Sequence, residues 1–363
     1  MNYLSIERKW IISCLQGNID PSSNIDLCEA LNICLYDGVA PFLYSTLKRY
    51  YSSNHNDIFF SFFVQNLKAH YILTKTKNKA YLEEIANIFF LLNNNGVKPI
   101  LLKGSALIVS NTYKDVAHRP INDIDFFVSP DDMDNVHNIL IDLGYKLNSI
   151  EHRSATRLID GKRSYYKGDI FLDVHFPSMV LSIYKNDLKK TPIIVCYNGK
   201  IFFIPPPELL ILHIIHHFIF SHFYMRLIWL IDISKLVERY DINWDFLYQR
   251  INSYRFNDIF FNVLKKVKDF FYAPIPDFIT SRRDCFAFTL LLEPRDNAFL
   301  ASIIKLLNIN SILDRFIYVF SIFFPSRDFI IIRYSNKSVF LFRVFRPILM
   351  LLKIIRDLFI LIF

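Results

Sequence analysis

The chain has 363 residues, of which 52% are hydrophobic and 36 are phenylalanine, while glycine is scarce at 8. That length accommodates two domains, or one domain with a helical extension, and the composition favours long helices over a glycine-punctuated barrel or dinucleotide fold. A formal charge of +8 suits an anionic partner such as a nucleotide, a nucleic acid or an anionic membrane, but no zinc finger, RNA-binding aromatic pair or helix-turn-helix signature accompanies it.

Apolar residues at three- and four-residue spacings predict helices over Ile6 to Leu15 and Ile25 to Tyr36, and Pro41 opens another at PFLYSTLKRYY. Asp57 is placed to cap the long periodic stretch that follows, which ends at Asn93-Asn94-Asn95-Gly96. A short strand is expected from Pro99 to Leu102, with Gly104-Ser105 opening the next helix. Ile121 to Val128 alternates as a strand. Pro130 and Asp131 end it, and Ser129 or Asp131 is positioned to cap helix DDMDNVHNILIDLG, closed by Gly144. YKLNSIEH, SYYKG and DIFLDVHF read as further strands, and TPIIVCYNGKIFFIPP as a hairpin turning at Asn198-Gly199. Helical periodicity returns from Glu208 to about Tyr240, from Trp244 to Phe271, and through most of the remainder, with breaks near Pro294, Pro325 and Pro347. The expected architecture is α+β, a small mixed sheet with helices packed on it and helical regions on either side. Boundaries fall at 1–96 for an N-terminal helical region, 97–204 for the sheet-bearing catalytic domain and 205–363 for a large C-terminal helical domain.

Chemistry concentrates between Leu101 and Val128. Residues i and i+2 of a strand share a face, so Asp123 and Asp125 point to one side while Ile124 enters the core. Asp173, in IFLDVHF, can deliver a third carboxylate from an adjacent strand. Hard divalent cations prefer oxygen ligands, which makes Mg²⁺ the default and Mn²⁺ its substitute. Such ions, about 3.5–4 Å apart in two-metal sites, neutralise a triphosphate, activate an attacking hydroxyl and stabilise a leaving pyrophosphate. Gly104 at the strand-to-helix turn permits close backbone approach, and N–H groups at a helix start favour an anion. Ser105 can cap that helix or contact a phosphate oxygen. Lys103 and Arg119 supply cations, Arg119 to clamp a triphosphate or to order its loop, and His175 shares the strand face of Asp173. Each feature alone has a plainer reading: the Asp pair as an exposed polar face, Gly-Ser as a turn, Asp131, Asp132 and Asp134 as helix-start charges. Together, and in this order, they point to a metal-and-nucleotide site.

On these residues the chain resembles the polymerase-beta-type nucleotidyltransferase superfamily, and more closely a large bacterial family of uncharacterised nucleotidyltransferases. The resemblance is carried by LLKG at Leu101 to Gly104, Arg119, DID at Asp123 to Asp125, and the D-x-H element of Asp173 and His175. It continues through LILHIIHHFIFSH, Arg226 and Asp232 in RLIWLIDISKLVERYDINWDFL, and the segment from Phe324 to Tyr334. Most of the chain is covered. The resemblance implies metal-dependent transfer of a nucleoside monophosphate from a nucleoside triphosphate, ATP favoured, to a hydroxyl or phosphate. Asp123 and Asp125 would be metal ligands, and Asp173 a further ligand or general base. Phe126-Phe127 and Phe176 depart from the expected strand ends. No acceptor carries over: a small molecule, peptide, protein or RNA all fit.

His213, His216, His217 and His222 invite a zinc reading, yet HExxH is absent and no Cys, Asp or Glu lies nearby on the face that His213 and His217 would share, so core or site-adjacent roles are expected. Arg153, Arg157, Lys162, Arg163 and Lys167, near the third carboxylate, would suit phosphates, an anionic acceptor or a solvated turn. Five cysteines, Cys14, Cys28, Cys34, Cys196 and Cys285, form no CxxC pair and fit free thiols in a reducing compartment. The N-terminus carries no signal-peptide pattern, and no long charge-free apolar window predicts a transmembrane helix, so a cytoplasmic location is expected. From Arg282 onward 12 Lys or Arg stand against 6 Asp or Glu, and Arg343, Arg346, Lys353 and Arg356 interrupt a strongly apolar tail. That pattern reads as a packed helix with a wet basic face, or as a peripheral contact with the inner face of a membrane. Two rival functions remain beside the enzyme: a toxin-type nucleotidyltransferase acting on tRNA, and a non-catalytic nucleotide- or RNA-binding module.

Overall fold

The structure, a computed structural model, describes residues 4–19, 24–51, 58–148, 161–176, 192–219, 224–254, 257–282, 288, 306–307, 309, 311–324, 345–352 and 355–356. Asp57, Arg153, Arg157, His222, Cys285, Arg343, Lys353 and the segment 325–334 lie outside them. Two compact units form, one from Met1–Phe90, Ile100–Ile124 and Pro192–Arg295, the other from Leu91–Pro99, Asp125–Thr191 and Asp296–Phe363. The architecture is α+β with mixed strand pairing, as expected.

In the first unit, α1 (Ile6–Leu15), α2 (Leu27–Tyr36) and α3 (Ala40–Tyr51) pack against one another. Ser5 accepts from Arg8 N, and Asp26 from Cys28 N and Glu29 N, satisfying the first N–H groups of α1 and α2. Trp10, Ile11, Cys14, Cys34, Leu43 and Leu47 are buried there. A charge is buried with them: Arg8 donates from one nitrogen to both Asp37 oxygens at 2.9 and 2.7 Å and to the carbonyl of Met225 at 2.9 Å. The helix α4 (Ile58–Asn94) follows, then β1 (Ile100–Leu101) and α5 (Lys103–Val109). β1 lies parallel to β7 (Lys200–Ile204), with Ile100 opposite Phe203, and β7 pairs antiparallel with β6 (Ile193–Tyr197). The hairpin turns on Asn198 and Gly199 with φ of 48° and 74°, the two left-handed positions of a type I′ turn that an Asn-Gly pair is chosen for.

Helix α7 (Pro207–His217) is buried from Pro207 to His216, which explains why its sequence is apolar all round rather than striped. It packs on α8 (Leu227–Arg239) and α9 (Trp244–Asn252), and α8 in turn on α10 (Asn257–Phe271). The periodic run predicted from Trp244 to Phe271 is thus two helices. A short α11 (Asp277–Thr280) follows α10.

The second unit begins with the last turn of α4, closed by a Schellman motif in which Val97 N donates to Leu92 O at 3.0 Å and Gly96 N to Asn93 O at 3.1 Å. Its strands run in the order β3-β4-β5-β2: β3 (Lys146–Leu147), β4 (Lys162–Lys167), β5 (Ile170–His175) and β2 (Ile124–Phe127), with β3/β4 and β4/β5 antiparallel. The strand expected over Ile121 to Val128 is confined to Ile124–Phe127, so Asp123 stands in a bend just before it. A 3-10 turn at Pro130–Asp132 precedes α6 (Met133–Asp142), and the cap expected from Ser129 or Asp131 is not made. The tight turn begun by Pro130 moves the helix start to Met133, with Asp132 at the cap position and no side-chain bond to the backbone. Gly144, at φ 83°, ends the helix as predicted. The described C-terminal helices are α12 (Ile312–Phe323) and residues 345–352. Among the described residues, no helix is long and apolar enough to cross a membrane.

Candidate metal centre

Strand pairing in the second unit assigns side chains to faces. Across β4 and β5, Ser164 lies opposite Asp173, Lys162 opposite His175, and Tyr165 opposite Leu172. Cross-strand partners point the same way and neighbours alternate. Tyr165 and Leu172 are therefore on one face, where Tyr165 is fully buried and its hydroxyl lies 3.1 Å from His137 Nδ1 of α6. Lys162, Ser164, Asp173 and His175 share the other.

Asp125 of β2 meets that second face. Its Oδ1 is 2.8 Å from His175 Nε2, and both residues are buried, Asp125 at 2% and His175 at 7% exposure. Asp173 Oδ2 accepts from Lys162 Nζ at 2.9 Å, and Asp173 Oδ1 accepts from the Ser164 hydroxyl. One ligand atom from each of Asp125, Asp173 and His175 lies within 4.8 Å of the others. Among the described residues this is the one group of three or more acids, histidines or cysteines so disposed. Two carboxylates this close, one buried and one half-buried, repel unless a cation is shared, so the donor set fits a divalent ion. The position of β5 is fixed by its antiparallel partner and by the bond from Val128 N to His175 O, 2.9 Å.

The first unit holds the remaining predicted residues. α5 starts at Lys103, not at Ser105: its cap position is Leu102, so Ser105 is not the cap and is buried inside the helix. The cause lies in Lys103, whose φ of 51° turns the chain out of β1 one residue earlier than the Gly-Ser pair suggests. Gly104 is closely approached: a Cβ there would stand 3.1 Å from Cζ and from one terminal nitrogen of Arg119, so the guanidinium would have to give way. Arg119 Nε bonds both oxygens of Asp232, at 2.8 and 2.9 Å, and a terminal nitrogen donates to Pro120 O at 2.5 Å. Tyr113 donates its hydroxyl to the same carboxylate at 2.5 Å. Burial works against charge on Arg119, but Asp232, helped more weakly by Asp123, outweighs it and raises the guanidinium pKa. These bonds tie Arg119 to α8 and to its own loop.

Asp123 is half-buried, Lys103 likewise, and Asp125, Asp173 and His175 come together. Sequence reasoning missed Asn78, a fully buried residue of α4. Its amide donates to the carbonyls of Val116 and Arg119 at 2.6 and 2.8 Å and accepts from Ile121 N at 3.1 Å, bracing the segment that leads to Asp123. Nothing in KTKNKAY marks it. Ser164 and Tyr113 were missed for the same reason. Of the histidines of α7, His213 and His216 are buried, with His216 packed on Tyr254 at 6.4 Å between ring centroids, while His217 is half-buried and meets Trp229 edge-on at 5.8 Å.

The chain belongs to the family described as uncharacterised nucleotidyltransferase, whose model matches residues 23–272. That match spans both the Gly104–Arg119 segment and the Asp125, Asp173 and His175 group. Among solved structures, the chain is similar to an antigenic nucleotidyltransferase-like protein from Paracoccidioides brasiliensis, at 12% identity and a TM-score of 0.37, covering 58% of this chain and 99% of that one. None of the curated proteins compared matches the chain.

Proposed function

We propose that the chain is a metal-dependent transferase that moves a nucleoside monophosphate from a nucleoside triphosphate, ATP favoured, to a hydroxyl or phosphate of an acceptor. The observation that carries this reading is the convergence of Asp125, Asp173 and His175 in a chain of the nucleotidyltransferase family. A divalent ion bound there, Mg²⁺ or Mn²⁺, would supply charge neutralisation for the triphosphate and the leaving pyrophosphate. Asp123, in the bend before β2 and outside the group of three, is proposed as a further ligand on the family resemblance alone. The acceptor oxygen attacks the α-phosphorus, the bond from that phosphorus to the bridging oxygen breaks, and pyrophosphate leaves. Where the acceptor is a hydroxyl, Asp173 doubles as ligand and as the base that takes its proton, which requires Lys162 to release the carboxylate. Lys162, whose ammonium group already meets Asp173, supplies positive charge on this face of the strand pair.

The test is incubation with each of the four α-labelled triphosphates and a cell extract, followed by mass analysis of the labelled product. Asp125→Asn should abolish labelling while the far-UV spectrum and melting temperature stay near those of the parent. Labelling retained in that variant sinks the assignment.

A peripheral membrane location accompanies this reading. It is supported by Ile312, Phe316 and Phe320 of α12, all more than 60% exposed, and by Phe345, Ile348 and Leu349, all more than half exposed, in a region rich in arginine. Sedimentation with anionic vesicles should fall on deleting Ser338 to Phe363. An intact chain that stays in the supernatant would end that idea.

A further inference from the structure

We infer that His175 is itself a metal ligand, so that the centre is built for a divalent transition-metal ion in preference to Mg²⁺. This deepens the metal-dependent reading above and rests on it for its biological meaning. Three observations carry it.

The first is spacing. His175 Nε2 and Asp125 Oδ1 are 2.8 Å apart. Neighbouring donors on one ion, each bonded at about 2.0–2.2 Å, stand roughly 3 Å from one another. The second is the third partner. A His–Asp hydrogen bond needs no further carboxylate, yet a ligand atom of Asp173 also lies within 4.8 Å of both. Small side-chain adjustments would bring the three onto one centre. The third is pre-organisation. Asp173 and His175 are alternate residues of β5, placed on one face by their pairing with Ser164 and Lys162, and His175 O is tied to Val128 N. The imidazole is thus held by the sheet rather than offered by a loop.

Ligand chemistry then sets the preference. Mg²⁺ demands near-octahedral oxygen coordination and sheds water reluctantly, whereas imidazole nitrogen suits first-row transition metals. A site of two carboxylates and one imidazole sits between these regimes. Mn²⁺, which accepts both donor types, is the natural probe.

The experiment uses the full chain, stripped of metal by chelation and loaded with Mn²⁺ alone, without nucleotide. Pulsed electron paramagnetic resonance should show modulation from an imidazole nitrogen, lost in His175→Gln. In competition, Mg²⁺ should need roughly a ten-fold excess or more to displace half of the Mn²⁺. His175→Asp, which restores an all-oxygen set, should bring that ratio toward parity. Bound Mn²⁺ with no nitrogen modulation in the parent protein overturns the inference. So does displacement by Mg²⁺ at equal concentration. If His175→Gln does not fold, the parent spectrum decides alone. The outcomes separate cleanly from the functional reading. Label transfer with an all-oxygen spectrum defeats only the ligand assignment, and nitrogen coordination without label transfer defeats only the nucleotidyl chemistry.

Discussion

Replacing Asp232 by alanine should be among the most destabilising single changes in the first unit. Its carboxylate is fully buried and accepts from Arg119 Nε at both oxygens and from the hydroxyl of Tyr113. The guanidinium, with side-chain exposure of 12%, has little water to turn to. Breaking a buried pair by removing one partner costs about 3–5 kcal/mol, because the other charge is left uncompensated. The orphaned phenol of Tyr113 belongs to the same network and keeps the total near the upper end of that range rather than adding in full. At roughly 2–4 °C per kcal/mol for a unit of this size, the melting temperature should fall by about 10 °C or more. Urea denaturation followed by circular dichroism reads the loss directly. The double variant Arg119→Met, Asp232→Leu should recover at least half of it, since an apolar pair of similar volume removes both buried charges. An Asp232→Ala protein within about 1 kcal/mol of the parent would refute the reasoning. A double variant no better than the single would do so too.

Gly104→Ala offers a sign test. An unhindered helical glycine gains up to about 1 kcal/mol on becoming alanine. Here the new Cβ meets a guanidinium pinned by Asp232, so a loss of about 1 kcal/mol is expected instead, read by the same denaturation curves. Lys162→Met should raise Mn²⁺ affinity by up to about five-fold in calorimetry, because a partly exposed ion pair contributes no more than about 1 kcal/mol and Lys162 competes for Asp173. A fall in affinity would mean that the lysine organises the carboxylate rather than competing for it. Asp37 predicts a pH effect. Burial raises its pKa to about 6, although Arg8 and the Tyr224 hydroxyl pull it down. In the folded chain it therefore holds a proton that the unfolded chain has already released between about pH 4 and pH 6. Its contribution to stability is present below that window and lost as pH rises through it, by up to about 3 kcal/mol. The stability difference between the parent and Asp37→Asn should shrink by that order from pH 4 to pH 7, and a flat difference contradicts the assignment.

What was legible in the sequence is what local rules determine. The boundaries of α1, the Asn198-Gly199 turn and the Gly144 stop each depend on a few adjacent residues, and each is found as predicted. The period of two in a strand likewise places Asp173 and His175 on one face, as their pairing with Ser164 and Lys162 bears out. Illegible features depend on partners brought together by packing. Arg119 and Asp232 are 113 residues apart, and no spacing rule connects them. Asn78, in a polar stretch of a long helix, looks like a solvated side chain until the segment carrying Val116 and Arg119 is laid across it. The start of α5 was misplaced for a backbone reason: the left-handed turn fell to Lys103, where a neighbouring glycine looked the better choice.

The balance of buried charge separates scaffold from site. Arg8 with Asp37, and Arg119 with Asp232, are one-to-one pairs in which a guanidinium meets both carboxylate oxygens. Each is neutral as a unit, and a further cation would disrupt it. The group at β2 and β5 is built differently. Two carboxylates face one imidazole, and the lysine on Asp173 has a side-chain exposure of 32%, against 6% for Arg8 and 12% for Arg119. That lysine can swing into water at small cost, leaving two negative groups and a nitrogen donor around a common point. An arrangement of that kind is costly as a structural element, because repulsion between carboxylates that are partly removed from water is strong. It becomes favourable once a divalent charge is placed between the donors, which is the reason to look for function there and for stability at the arginine pairs.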